Sequence, residues 1–102
     1  MDKREAVDKI KKYSDLVNQK INTKKIILYG SYAKGNWQDE SDIDVAVIVD
    51  KVEGDFLEKK VLLYKLRRNI DSRIEPVLIE EGNDESGFLE EIMKHGEVVY
   101  SR

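Results

Sequence analysis

The run Ile43-Asp44-Val45-Ala46-Val47-Ile48-Val49 constrains the fold more than any other stretch of the chain. Six of its seven residues are apolar and five are β-branched. Branching at Cβ costs χ1 freedom in a helix and suits the pleated surface of a sheet. A run without polar alternation cannot leave either side in water, so it reads as a strand covered on both faces. Lys25–Tyr29 and Arg73–Ile79 are two further strands, and Glu97–Tyr100 is a candidate edge strand. Pro76 lacks a ladder donor, which places the Arg73–Ile79 strand at an edge or at a bulge.

Helical patterns lie between these strands. From about Lys3 to Ile21, Ala6, Val7, Ile10, Tyr13, Val17 and Ile21 recur at three- and four-residue spacing and form one apolar stripe. Asp2 is a cap for this helix, and Glu5 completes a capping box. Asp50–Gly54 reads as a loop. A second long helix runs from about Asp55 to Asn69, with Phe56, Leu57, Val61, Leu63, Tyr64, Leu66 and Ile70 on a wide apolar face. Glu81–Glu85 reads as a loop. A short helix from Gly87 to Lys94 turns Leu89, Ile92 and Met93 inward and stops at Gly96. Helices alternating with short strands predict an α/β or α+β domain: a small mixed sheet of three to four strands packed against helices. With 102 residues, no repeat and no Pro/Gly/Ser-rich linker, residues 1–102 are expected to form one domain.

Composition narrows the function classes. The chain has no cysteine, which excludes disulfides and thiolate metal sites. No apolar run approaches the roughly 20 residues of a membrane-spanning helix. The charged start, Met1-Asp2-Lys3-Arg4-Glu5, lacks the apolar centre of a secretory signal, so a cytoplasmic location is expected. The net charge of -3 is no basic footprint, which disfavours binding to long nucleic acids. The cluster Lys65-Leu66-Arg67-Arg68 reads as a solvated helix face.

The chemistry concentrates in Tyr29-Gly30-Ser31-Tyr32-Ala33-Lys34-Gly35 and Ser41-Asp42-Ile43-Asp44-Val45, with ten residues between Ser31 and Asp42. Strand residues two apart share a face, so Asp42 and Asp44 should converge while Ile43 turns into the core. Two hard oxygen donors suit Mg²⁺, which fills its shell with water and substrate phosphates. A cation would also offset the repulsion between close carboxylates. Gly30 permits a tight turn and close backbone approach, and Ser31 offers a hydroxyl and N–H groups at a helix start, a setting that favours phosphate. Glu75 is the only acid within the predicted downstream strand Arg73–Ile79. It is the candidate third metal ligand and proton acceptor for an attacking hydroxyl. Lys34 could steady outer phosphates, and Ser41 could bond phosphate or sugar. Trp37 is expected to pack, Asp39 and Glu40 to belong to a solvated loop, and His95 to serve a helix dipole.

The Gly-Ser-x10-Asp-x-Asp element resembles the hallmark of the minimal nucleotidyltransferases (MNT) of the DNA polymerase beta-like superfamily. The order of helices and strands is similar as well. The resemblance implies transfer of a nucleoside monophosphate from a triphosphate, with ATP as donor, to a hydroxyl, with release of pyrophosphate. Gly30, Ser31, Lys34 and Ser41 would then handle the nucleotide, and Asp42, Asp44 and Glu75 would hold Mg²⁺, two ions in such a site. Glutamate stands at position 75 where the family usually has aspartate.

Larger relatives carry a further domain for the acceptor, which leaves the acceptor to come from elsewhere. Stand-alone MNT proteins resemble antitoxins paired with a helical HEPN toxin, some of which place AMP on a tyrosine of that partner. Two other readings compete: a non-catalytic antitoxin that masks its partner, and a homodimeric small-molecule nucleotidyltransferase with aminoglycoside-like acceptors.

Overall fold

A computed structural model describes residues 1–38, 40–83 and 87–102. Four strands form one mixed sheet in the order β3-β2-β1-β4: β1 Lys25–Tyr29, β2 Ile43–Val49, β3 Ile74–Glu80 and β4 Glu97–Ser101. β1 lies antiparallel to β2 and to β4, whereas β2 and β3 run parallel. The helices are α1 Lys3–Lys20, the single turn α2 Ser31–Lys34, α3 Phe56–Leu66 and α4 Phe88–His95. Expected and observed elements agree in kind and order. β3 and β4 are both edge strands, the position that Pro76 requires.

The strong pattern of β2 is explained by its place. Val45, Val47 and Val49 pack with Ile26, Leu28, Ile74 and Leu78 on one face, beneath Ala6, Ile10, Tyr13 and Val17 of α1 and Leu63 of α3. Ala46 and Ile48 pack on the other face with Ile27, Ile79 and Ile92 of α4. Burying each Val, Ile or Leu contributes roughly 1.5–3 kcal/mol, so β2 anchors both layers. Asp2 caps α1 by accepting from Glu5 N at 2.9 Å, and Asp55 caps α3 by accepting from Leu57 N and Glu58 N. The Tyr13 hydroxyl donates to Leu63 O at 2.7 Å and ties α1 to α3.

Two apolar faces differ from expectation. On α3, Leu63 is buried and Leu62, Leu66 and Ile70 border the core, but Phe56, Leu57 and Val61 stand 46%, 66% and 44% exposed. Apolar residues occur nearly all round this helix, so spacing alone could not select the inward side. On α4, Ile92 and Leu89 face the sheet, while Met93 is 42% exposed. The expected loop at Glu81–Glu85 begins as a 3₁₀ turn at Glu81–Asn83; Asp84, Glu85 and the loop residue Asp39 lie outside the described residues.

Candidate active site

The end of β1 sets one wall. Gly30 adopts φ 75° and ψ −149°, a region closed to most L-residues. A Cβ on Gly30 would lie 2.2 Å from Asp44 Oδ2 and 3.1 Å from its Cγ. The glycine therefore does two things: it makes the bend, and it lets the backbone lie against the Asp44 carboxylate. α2 follows as one turn closed by Lys34 N and Gly35 N donating to Gly30 O and Ser31 O, each at 3.0 Å. So short a helix has little dipole. What it offers an anion is the set of first-turn N–H groups that no helical carbonyl accepts.

The acids lie across the sheet in one row. Tyr29 of β1 pairs with Asp44 of β2, and Asp44 pairs with Glu75 of β3. Paired residues share a face, so the three side chains stand side by side at the end of the sheet away from the apolar β2 terminus. Asp42 immediately precedes β2, whose first residue is tied to the start of β3 by Ile43 N donating to Arg73 O at 2.9 Å. Ile43 is fully buried between an exposed Asp42 and a half-buried Asp44, the alternation expected of the motif. Burial, then the charges of Asp42 and Glu75, push the Asp44 carboxyl up to about 6. No hydrogen bond or ion pair from a described residue reaches the Asp42 or Asp44 carboxylate.

Glu75 differs. Its Oε2 accepts from the Tyr64 hydroxyl at 3.1 Å, and its Oε1 lies 3.4 Å from Arg67 Nη1. Arg67 also donates to Ile74 O at 2.9 Å and stacks over the Tyr64 ring, 4.8 Å from its centroid. Lys65 and Arg68 are exposed, as expected of a solvated face, whereas Arg67 departs from that reading and turns to the β3 edge and Glu75. The sequence signal was available as the spacing of Tyr64 and Arg67, three apart and hence on one helix face, but nothing in it named Glu75 as their target. Burial, then hydrogen bonding to Glu75, raises the Tyr64 pKa. The Tyr29 phenol is pushed up to about 12 by burial and then by Asp44, and its ring meets Phe88 edge-on at 5.7 Å.

The remaining candidates sit at the rim. Lys34 is exposed at the end of α2, and Ser41 Oγ accepts from Gln38 N at 2.8 Å within the loop. Trp37 packs as expected, stacked on Tyr32 at 5.6 Å. His95 pairs with Glu91 one turn earlier at 3.6 Å, outside the acid row. Asp42 and Asp44 are two hard carboxylate donors without a cation from a described residue, and burial together with the charge of Asp42 disfavours the ionised Asp44; such a set fits a divalent ion. Among the described residues no group of three or more His, Cys, Asp or Glu side chains is arranged to hold a metal ion.

A profile of the family "Polymerase beta, Nucleotidyltransferase" matches residues 9–102. The chain belongs to this family. This polymerase beta-type nucleotidyltransferase is 26% identical over 96 residues to a Methanocaldococcus jannaschii protein named as an inferred protein adenylyltransferase, MJ0141; the match covers 90% of the chain and 96% of the relative. It is 35% identical over 81 residues to a second such protein of that organism, MJ0604, with 76% and 78% covered. In fold it is similar to a Sulfolobus solfataricus protein described as an inferred nucleotidyltransferase, with TM-score 0.71, 17% identity, and 98% and 84% of the two chains covered. It is also similar to a chain of a toxin-antitoxin crystallised with AMP-PNP, with TM-score 0.68, 24% identity, and 94% and 73% covered. No helix among the described residues is long and apolar enough to cross a membrane.

Proposed function

We propose that this nucleotidyltransferase transfers AMP from Mg²⁺-bound ATP to a tyrosine hydroxyl of a helical HEPN toxin and thereby acts as its antitoxin. The observation that carries the chemistry is the contact between the Gly30 backbone and Asp44 in a row that continues to Glu75. The adenylyltransferase names of the M. jannaschii relatives support a protein acceptor. The toxin-antitoxin neighbours, one with AMP-PNP and one a mutant of MntA-HpeT, support the partner class.

In this reading Asp42 and Asp44 hold Mg²⁺, which when bound neutralises charge on the phosphates and lowers the pKa of an attacking hydroxyl. Gly30 and Ser31 hold the β- and γ-phosphates through backbone N–H groups and the Ser31 hydroxyl, with Lys34 as an outer counter-charge and Ser41 beside the sugar. Glu75 takes the proton of the acceptor hydroxyl. For Glu75 also to touch a second ion, its carboxylate must first leave Tyr64 and Arg67. The chain mainly supplies position and fixed charge for an in-line displacement.

The test is labelled ATP, Mg²⁺ and the protein encoded by the adjacent gene. Label on a tyrosine of that protein, lost with Asp42→Asn or Asp44→Asn, is the expected result. Masking without transfer is a second reading, favoured by the exposed Phe56, Leu57 and Val61 on α3. Neutralisation that survives both aspartate substitutions would establish it in place of the first.

A further inference from the structure

The structure assigns to this chain a built-in acceptor: we propose that Tyr64 receives AMP from ATP bound in the same molecule. The inference rests on the transfer reading above and adds a modification site to it.

The argument is the order of groups across the sheet. The Gly30–Ser31 bend lies at the end of β1, Asp44 on β2, Glu75 on β3 and Tyr64 on α3 beyond the β3 edge. Neighbouring strands stand about 4.8 Å apart, so the bend and the Glu75 column flank Asp44 by about one strand spacing each. A triphosphate with its outer phosphates on the bend has its α-phosphorus over the acids and its leaving group towards β1. The entering oxygen of an in-line displacement must then arrive from the β3 side. The Tyr64 hydroxyl is on that side, and it already donates to Glu75 Oε2 at 3.1 Å. Arg67, over its ring and bonded to Ile74 O, fixes it there.

The other tyrosines do not qualify. Tyr13 and Tyr32 are fully buried, and Tyr13 is spent on Leu63 O. Tyr29 stands on the leaving-group side, and Tyr100 lies on β4 at the far edge.

In the step, a bond forms between Tyr64 Oη and the α-phosphorus as the bond from that phosphorus to the bridging oxygen breaks. The electron pair leaves with pyrophosphate, and the phenol proton passes to Glu75 Oε2. The product is Tyr64 O-AMP, which fills the acceptor side and blocks a second protein from it. A partner's tyrosine competes by displacing Tyr64 from Glu75.

The experiment incubates the chain with Mg²⁺ and ATP labelled at the α-phosphate, alone and with the adjacent gene's product, and locates label by peptide mass spectrometry. The expected result is AMP on Tyr64 of the chain alone, lost in Tyr64→Phe and in Asp42→Asn, with less self-label when the second protein is present. Calorimetry should show Tyr64→Phe still binding Mg²⁺·ATP within about threefold of wild type, because the triphosphate is placed on the Gly30–Ser31 bend and Tyr64, bonded to Glu75, on the acceptor side. Label on the second protein with none on Tyr64 would overturn this inference and leave the transfer reading standing. Label on neither would overturn both, and label at another residue, or label that persists in Tyr64→Phe, would overturn the assignment of Tyr64.

Discussion

Gly30→Ala should damage stability and activity through one atom. The backbone at φ 75°, ψ −149° belongs to a region that costs a non-glycine residue roughly 1–3 kcal/mol. The new methyl also needs the space of Asp44 Oδ2, 2.2 Å away. Either the bend opens or the carboxylate swings out, and overpacking of this kind costs roughly 1–3 kcal/mol. A total near 3 kcal/mol is a large part of the roughly 5–15 kcal/mol that holds a domain together. It should lower the Tm by about 10–25 °C for a chain of this length. A displacement of about 1 Å at a catalytic group costs on the order of 100-fold in rate, so transfer should fall at least that far in the fraction still folded. Gly35→Ala is the control. Gly35 is also left-handed, at φ 82°, but a Cβ there meets nothing within 4 Å. It should cost roughly 1 kcal/mol for the left-handed backbone and leave Mg²⁺·ATP binding intact. The assay is thermal unfolding beside calorimetric titration with Mg²⁺·ATP at a temperature where both variants are folded. Near-normal binding and transfer by Gly30→Ala, or equal losses in both variants, would refute the claim that the bend and Asp44 form one unit.

Asp44→Asn should raise stability while abolishing transfer. Its folded-state pKa of about 6 lies above the ordinary 3.8, so ionising it costs stability as pH rises through that interval, and the whole cost is present at pH 7.5. After allowance for solvent screening the gain from asparagine is roughly 1 kcal/mol, readable as a rise in Tm; Mg²⁺ should raise the wild-type Tm at pH 7.5 and not that of the variant. Asp71 shows the opposite sign: Arg73, and also Lys9 from α1, hold its carboxylate well below the usual range. Asp71→Asn should cost roughly 2 kcal/mol by urea unfolding at pH 7, and the deficit should shrink as pH falls below roughly 4, because the wild-type contribution is lost as the carboxylate protonates. On α3, Leu57→Ser should shift the urea midpoint by less than about 0.5 kcal/mol, whereas Leu63→Ala should cost roughly 2–5 kcal/mol; equal effects would put the inward face of α3 elsewhere.

Different parts of the molecule were legible to different degrees. β2 could be read because burial on both faces writes itself as an unbroken apolar run. The Gly30 bend and Asp42–Asp44 could be read because each depends on local geometry: a glycine-only conformation and a two-residue strand period. Glu75 was legible only as an acid in a strand, since the parallel register that sets it beside Asp44 is made by residues about thirty positions apart in the chain. Tyr64 and Arg67 were missed in their role for the same reason. Their helix has apolar and basic residues all round, so the choice of face is made by β3 and α1. Met93 was misplaced because α4 is short enough for a single buried residue, Ile92, to hold it to the sheet.

The acid row is a source of electrostatic strain, and its two ends relieve it differently. At β3, Tyr64 and Arg67 give Glu75 a donor and a counter-charge from within the chain. At β2, Asp44 has the backbone of Gly30 against it, Asp42 and Glu75 near it, and no cation from a described residue. A structural role would place a lysine or arginine there, as the chain does for Asp71 and Asp50. The repulsion left at Asp44 persists only because the rest of the fold, above all the doubly covered β2, outweighs it. It is also what makes a bound divalent ion favourable, since the ion removes a cost that the folded chain otherwise carries. The instability of this corner and its capacity to bind a metal-triphosphate are therefore one property, and substitutions that relieve the first should weaken the second.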